Sequence, residues 1–181
     1  MAKDEHEATV IAKKLLAYFQ GSYESYQVSS QDDLRNLIPE DRKWGYPIRE
    51  IINVLADNES FLELRRNYGR SIVTGFCRLE GKPFALLASD CQHLGGAIDA
   101  TSAEKASEFL SICDDHDIPI LALVDTPGFM VGPDSEEESA VTKMSNLFKT
   151  GSKLSVPLIA VFLRKAYGLG AMAMVGGSFY E

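Results

Sequence analysis

The stretch IPILALVDTPGFMVG, residues 118–132, decides the fold of this chain. It opens on an unbroken apolar run, Ile118 to Val124, which is typical of a strand covered on both faces of a parallel sheet. The run ends at Asp125, where a glycine-containing loop begins. The stretch VPLIAVFLRKAYGLGAMAM, residues 156–174, has the same order. In it a second predicted buried strand, Val156 to Leu163, leads into a glycine turn and a buried helix of small and apolar residues.

Helices are predicted before and between these two strands. Thr101 and Glu104 form a capping-box pattern at the start of the first helix, and residues 140–148 repeat apolar side chains at helical spacing in the second. Strand, helix and strand in this order imply parallel pairing with right-handed crossovers. The predicted fold class is therefore α/β. The apolar positions of the two helices are Ala106, Phe109, Leu110 and Cys113, then Ala140, Val141, Met144, Leu147 and Phe148.

The first hundred residues predict a hairpin and two further helices. Two strands, Ser71 to Arg78 and Pro83 to Ser89, flank a Glu-Gly turn. Pro47 opens a helix, and residues 5–19 predict an amphipathic helix that Gly21 ends, with a polar linker behind it. The apolar face of the helix at Pro47 consists of Ile48, Ile51, Ile52 and Leu55, and that of the N-terminal helix of Val10, Ile11, Leu15 and Phe19.

Composition restricts the classes of protein that this chain can belong to. With 181 residues, 45% hydrophobic and 24% charged, it matches an ordinary globular domain. Its 18 basic and 26 acidic residues give a net charge of −8, which disfavours a nucleic-acid partner. The N-terminus lacks a secretory signal, and no uncharged apolar run reaches the roughly 18 residues of a membrane helix. Three cysteines cannot form a closed disulfide set, so we expect reduced thiols in a cytoplasmic protein without a membrane partner.

Side chains suited to catalysis form no convincing set in this sequence. The adjacent pair Cys91 and His93 is a weak nucleophile pattern, and His116 in a run of aspartates is better explained as a polar turn than as a metal ligand. The acidic residues 136–138 suit the start of a helix. A GxGxxG fingerprint and a GxxxxGK[ST] loop are absent. We therefore expect no metal site.

Two glycine turns follow the predicted parallel strands, Pro127-Gly128-Phe129 and Tyr167–Ala171. The second lies at the start of a helix, where free N–H groups and the positive end of the helix dipole converge. Such groups can hold a developing oxyanion. The alternative is that the glycines only permit tight turns and close helix packing. Spacing alone leaves both interpretations open.

These residues carry a resemblance to a known family. From Leu37 onward the chain resembles the C-terminal carboxyltransferase domain of biotin-dependent acyl-CoA carboxylases, in the β subunits of the propionyl-CoA and acetyl-CoA carboxylase type. The resemblance covers about four-fifths of the chain. Residues 1–36 resemble a variable N-terminal helix and linker, and residues 37–181 a partial carboxyltransferase domain. The matching segments include YPIREII (46–52), SFLEL (60–64), VTGF (73–76), GGAID (95–99), VDTPGFMVG (124–132) and RKAYG (164–168).

The resemblance implies a crotonase-like (ClpP/crotonase) fold, a spiral of ββα units that is truncated here. It implies transfer of CO2 from carboxybiotin to the α carbon of an acyl-CoA, without a metal in this domain. In the family, the enolates are held by two backbone oxyanion holes, one in each of two related domains. The implied partners are a biotin carboxyl carrier, a biotin carboxylase component and the N-terminal carboxyltransferase domain, which is missing here. A homo-oligomer is implied as well.

Site residues are assigned by the same resemblance. The backbone N–H pair of Leu169 and Gly170 corresponds to the oxyanion hole facing biotin, although the family often has a second glycine where this chain has Leu169. Met172 corresponds to a position near the acyl group. The predicted biotin-binding positions are Gly128, Phe129, Tyr167, Gly168 and Ala171. An alanine at position 170 keeps the N–H and adds only a methyl group, so it separates steric crowding from loss of the donor.

Two alternatives to a carboxylase remain. One is a biotin-dependent acyl-CoA decarboxylase subunit, and the other is a non-catalytic scaffold that only assembles subunits. The oxyanion glycines speak against a scaffold. Because the chain ends soon after a buried helix, at Glu181, we expect it to be a fragment that is inactive alone.

Overall fold

The computed structural model describes residues 2–41, 43–132 and 140–177. A five-stranded sheet in the order β1-β2-β3-β4-β5 forms its centre. The first three strands pair antiparallel, whereas β3, β4 and β5 pair parallel, which confirms the predicted parallel pairing. The strands are β1 (Leu62–Leu64), β2 (Ile72–Leu79), β3 (Lys82–Ser89), β4 (Ile120–Thr126) and β5 (Leu158–Ala166). The helices are α1 (Glu5–Ala17), α2 (Ile48–Leu55), α3 (Ala100–Asp115), α4 (Ala140–Gly151) and α5 (Gly168–Met174).

The hairpin forms as its turn sequence predicts. Leu79 pairs with Lys82 across the two-residue turn Glu80-Gly81. Both turn residues have positive φ angles, 50° and 76°, as a type I′ turn requires. The carboxylate of the buried Asp57 accepts the N–H groups of Glu80 and Gly81 at 2.9 and 2.7 Å, which holds the turn in place.

The two faces of the sheet bury two apolar clusters, because successive strand residues point to opposite sides. Alternate residues of β2–β4, including Phe76, Leu87 and Val124, pack against α3, α4 and α5. The intervening residues, including Leu86 and Leu123, pack against α2. The carboxyl ends of β4 and β5 lie next to each other at one end of the strands, and the Glu80-Gly81 turn lies at the opposite end of the strands.

Strand β5 departs from its prediction as a buried strand. Ile159 and Val161 are 56% and 44% exposed. They pair with Leu121 and Leu123 of β4 and therefore share the face that α2 covers further along the sheet. Among the described strands β5 has one neighbour and lies at the edge of the sheet. An unbroken apolar sequence does not distinguish this edge position from a central one.

Three helix predictions need correction. The capping box is wrong, because Asp99 caps α3 by accepting the N–H of Ser102 at 2.8 Å. The Glu104 carboxylate instead accepts from Tyr68 and pairs with Lys143. Val141 is 70% exposed rather than buried on α4. Helix α1 contributes no buried residue, and the N-terminal segment is anchored by Tyr18, immediately after it.

Lys105 is a buried lysine whose described partners are backbone carbonyls. Its ammonium group donates to the carbonyl of Ile72 at 2.7 Å and to that of Gly69 at 3.4 Å. Burial lowers the pKa of Lys105 to about 8 from the usual 10.5.

This pKa predicts how stability changes with pH. Between about pH 8 and 10.5 the unfolded chain binds a proton that the folded chain lacks, so the contribution of Lys105 to the free energy of unfolding rises with pH. We expect the free energy of unfolding of the wild type minus that of Lys105→Met to increase by at most about 3 kcal/mol over this range, at about 1.4 kcal/mol per pH unit. Urea unfolding at several pH values measures it. The difference is needed because the buried cysteines, whose pKa values are raised, weaken the fold at high pH in both proteins. A pH-independent difference would contradict the prediction.

Candidate active site

The ends of β4 and β5 bring the two predicted glycine turns together. The N–H of Tyr167 donates to the carbonyl of Thr126 at 3.2 Å. Gly170 then packs directly on the first turn. A Cβ at position 170 would lie 2.7 Å from Gly128 Cα and 3.0 Å from Phe129 N. Only a residue without a side chain allows the backbones of the two turns to come this close.

The first turn is held in place by neighbouring backbone. Ile98 forms a parallel bridge with Phe129. Its N–H donates to the carbonyl of Gly128 at 2.9 Å, and its carbonyl accepts the N–H of Met130 at 2.8 Å. The Thr126 hydroxyl accepts the N–H of Gly128 at 3.1 Å. These bonds fix the surface on which Gly170 rests.

The second turn is the beginning of helix α5. Gly168, Leu169 and Gly170 are its first three residues, and the earliest N–H groups of an α-helix have no partner within the helix. Gly168 has a φ of 57° and open space beside its Cα. Tyr167 and Leu169 are 53% and 62% exposed. Residues 167–169 therefore lie at an open surface, whereas Gly170 is buried against the backbone of Gly128.

The remaining predicted site residues lie further along α5 and in the first turn. Ala171 is fully buried in the core, and its N–H donates to the Tyr167 carbonyl at 3.4 Å. Met172 and Phe129 are half-buried. The Phe129 ring packs at 6.0 Å from that of Phe148. The structure therefore places all the predicted positions in one contiguous region.

An ion pair beneath this region was missed by the sequence analysis. Asp125 is fully buried and pairs with Arg164 at 3.0 Å. The guanidinium of Arg164 lies 4.5 Å from the centre of the Tyr46 ring. The pKa of Tyr46 is raised well above its usual range, mainly by burial and to a lesser extent by the neighbouring Asp125. Asp125 and Arg164 are 39 residues apart in sequence, so only the pairing of β4 with β5 reveals them as partners.

The side-chain candidates lie apart from the glycine turns or are occupied. The Cys91 thiol contacts the backbone N–H and carbonyl of Tyr46 at 3.3 and 3.4 Å, and burial raises its pKa. His116 ends α3, just before β4 begins, and so lies at the opposite end of the strands from the glycine turns. Its ring packs on Phe19. Residues 136–138 lie outside the described residues. Among the described residues, no group of three or more potential ligands could hold a metal ion.

A groove of about 800 Å³ lies between α1 and residues 57–60, at the end of the strands opposite the glycine turns. It is lined by Lys13, Tyr23 and Tyr26 among others.

None of the described helices has the length and apolar character needed to span a bilayer.

Solved structures with the same fold define the class. Over 96% of the chain, the structure superposes on the transcarboxylase 12S subunit with a TM-score of 0.89 at 34% identity, covering 36% of that chain. It superposes on a single-chain, multi-domain long-chain acyl-CoA carboxylase with a TM-score of 0.97 at 47% identity, covering 98% of this chain and 18% of that one. The fold is therefore the crotonase-like fold of the carboxyltransferases, as the resemblance implied.

The sequence itself identifies the family. Residues 1–180 match the carboxyl transferase domain family, and this chain belongs to it. It is 35% identical to the methylmalonyl-CoA carboxyltransferase 12S subunit of Propionibacterium freudenreichii subsp. shermanii over 96% of its length. The propionyl-CoA carboxylase β chain of Rhodococcus erythropolis is also 35% identical over 96% of this chain. The chain spans 35% and 38% of these two relatives, or about a third of their length.

Proposed function

We propose that this chain supplies the biotin-side half of a carboxyltransferase active site, in an enzyme that moves CO2 from carboxybiotin to an acyl-CoA. The observation that carries the proposal is the contact of Gly170 with Gly128 and Phe129. This contact fixes the start of α5, with Gly168 and Leu169 exposed and Gly170 buried behind them. Negative charge that develops on an oxygen there is stabilised by preorganised backbone donors.

The residues present fit a bound biotin. Gly168 leaves open space beside its Cα, and the Leu169 side chain is largely exposed, so neither fills the surface in front of the N–H groups. When bound, carboxybiotin supplies both the CO2 and the base for the acyl-CoA. The N–H groups of Leu169 and Gly170 orient the group and stabilise its charge. Gly128 and Phe129 form the wall that keeps them in place.

The partners and location follow from the same proposal. A biotin carboxyl carrier and a biotin carboxylase component deliver the carboxyl group, and an N-terminal carboxyltransferase domain binds the acyl-CoA. The 12S relative assembles as a hexamer, which favours a homo-oligomer for this chain too. Three free buried thiols suit the reducing cytoplasm.

The division of the site predicts that the 181-residue chain is inactive alone. We expect no carboxylation of acetyl-CoA, propionyl-CoA or a long-chain acyl-CoA when carboxylated biotin is supplied, because the thioester groove belongs to the other domain. Joining the chain to an N-terminal carboxyltransferase domain should produce turnover, measured as carboxylated acyl-CoA formed. Turnover by the chain alone would refute the division. A joined protein that is folded, binds acyl-CoA and carboxylates none of the three would refute the proposed function.

A further inference from the structure

The pairing of β4 with β5 is interrupted just before the glycine turns. Val124 pairs with Phe162, and the next pair is Thr126 with Ala166. One residue lies between these pairs in β4 and three lie between them in β5, so β5 contains two extra residues. Bulges of this kind occur next to active sites, where they redirect the chain that follows.

The carboxylate of Asp125 occupies this bulge. One of its oxygens accepts the backbone N–H of Lys165 at 3.1 Å. The other accepts from Nε and Nη2 of Arg164, each at 3.0 Å. Arg164 and Lys165 are two of the three β5 residues between the flanking pairs, so one buried side chain replaces the ladder contacts that the bulge removes.

The bulge is tied to its surroundings through the same two residues. Arg164 donates through Nη1 to the carbonyl of Trp44 at 2.8 Å. The ammonium group of Lys165 donates to the carbonyl of Gly95 at 2.7 Å. The side chain of Arg164 is 6% exposed, so its pair with Asp125 lies inside the protein, whereas the bonds to Trp44 and Gly95 lie at the surface. Tyr167 follows two residues after Lys165, so the bulge lies directly before the turn that begins α5.

We propose that Asp125 is a positioning residue for the oxyanion turn. Its carboxylate sets the path of the β5 bulge, and this path determines where the N–H groups of Leu169 and Gly170 lie relative to Gly128. The inference rests on the proposed function for its catalytic consequence. The structural part, the control of residues 164–170 by Asp125, is independent of it.

Asp125→Asn tests the proposal in a full-length carboxyltransferase that contains this chain. The variant retains an acceptor oxygen but leaves Arg164 without a charged partner. We expect kcat to fall about 10²-fold, because small displacements of catalytic groups have effects of this size. KM for the acyl-CoA should stay within about threefold, because that substrate binds to the other domain. Hydrogen exchange measured by mass spectrometry should accelerate over residues 160–172.

Asp57→Asn is the matched control, because Asp57 is also a buried carboxylate that accepts backbone N–H groups, at the opposite end of the strands. Its variant should accelerate exchange over residues 76–84 and leave kcat within about threefold of wild type. If folded Asp125→Asn behaves as this control does, with unchanged kcat and unchanged exchange over residues 160–172, the proposal is wrong.

A double variant covers the case in which Asp125→Asn does not fold. Asp125→Asn with Arg164→Gln removes the guanidinium charge together with the carboxylate and keeps an acceptor for the Lys165 N–H, while the Lys165 ammonium, which lies 3.9 Å from Asp125 in the wild type, keeps its bond to the Gly95 carbonyl. The carboxylate is absent from this variant, so the proposal requires faster exchange over residues 160–172 and a kcat below that of wild type. Wild-type exchange with wild-type kcat overturns it. Accelerated exchange there without loss of kcat overturns it. If the wild-type enzyme shows no carboxyl transfer, the proposed function fails, while the exchange measurements still decide the role of Asp125.

Discussion

Gly170→Ala should lower kcat of a full-length carboxyltransferase containing this chain by about 10²-fold or more, in the range seen when one oxyanion donor is lost. An added Cβ would lie 2.7 Å from Gly128 Cα and 2.8 Å from Gly128 C. Both are backbone atoms and cannot rotate away. The methyl group must therefore push the two turns apart and displace the N–H groups. Because the alanine variant retains the N–H of residue 170, its effect measures steric crowding and not loss of the donor.

Three control variants and a proline variant make the measurement specific. Gly45→Ala should keep wild-type kcat, because its Cβ would lie 3.5 Å from the nearest atom, which is ordinary contact. His93→Ala and His116→Ala should stay within about tenfold, because neither side chain is given a proton-transfer role, which contributes 10²–10⁴-fold where it exists. Gly170→Pro removes the N–H itself and should be at least as impaired as the alanine variant. A fully active Gly170→Pro beside an inactive histidine variant would reject the backbone oxyanion site.

Phe76→Ala should lower the free energy of unfolding by about 3–5 kcal/mol, the usual effect of removing a buried phenyl ring. The side chain is 1% exposed in the centre of β2. Its ring contacts those of Tyr18, Phe19 and Phe109, at centroid distances of 5.6, 5.6 and 5.4 Å. The variant therefore also weakens the attachment of the N-terminal segment to the sheet.

Urea unfolding measures this effect, with Val141→Ala as control. Val141 is 70% exposed on α4, so its truncation should change the free energy of unfolding by no more than about 0.5 kcal/mol. Proteolysis of the folded protein should also cut residues 20–30 faster in Phe76→Ala than in Val141→Ala. Equal free energies of unfolding for the two variants would show that the contacts of Phe76 with the N-terminal segment and with Phe109 do not stabilise the fold.

Several elements of the fold could be predicted from local sequence, because their causes are local. Gly81 suits the positive φ of a two-residue turn, and the apolar runs on both sides of it indicated a hairpin. Glu80 also has a positive φ, which is uncommon for a residue with a side chain. The helix after Pro47 has its apolar residues on one face, and Ile48, Ile51 and Ile52 are buried as expected. Unbroken apolar runs separated by helices indicated parallel strands, and the register confirms it.

Burial was predicted less well where it depends on distant parts of the chain. The run from Val156 to Leu163 is as apolar as the run before Asp125, yet Ile159 and Val161 are exposed at the sheet edge. The cap of α3 was placed at Thr101 rather than at Asp99, since both residue types suit the position and only the observed backbone distinguishes them. The assignment of residues 1–36 as a separate segment stays a prediction, and Tyr18 packs against Phe76 in the core.

The sequence by itself determined the family and the two glycine turns, because motifs such as VDTPGFMVG and RKAYG are contiguous in the chain. Only the tertiary structure decided how the turns meet. The contact of Gly170 with Gly128 spans 42 residues, and the ion pair of Asp125 with Arg164 spans 39. Contacts of this range arise from the pairing of β4 with β5, whose register depends on packing over the whole sheet. A carboxylate two residues before a Pro-Gly turn has no local signal that distinguishes a buried anchor from a solvated loop residue.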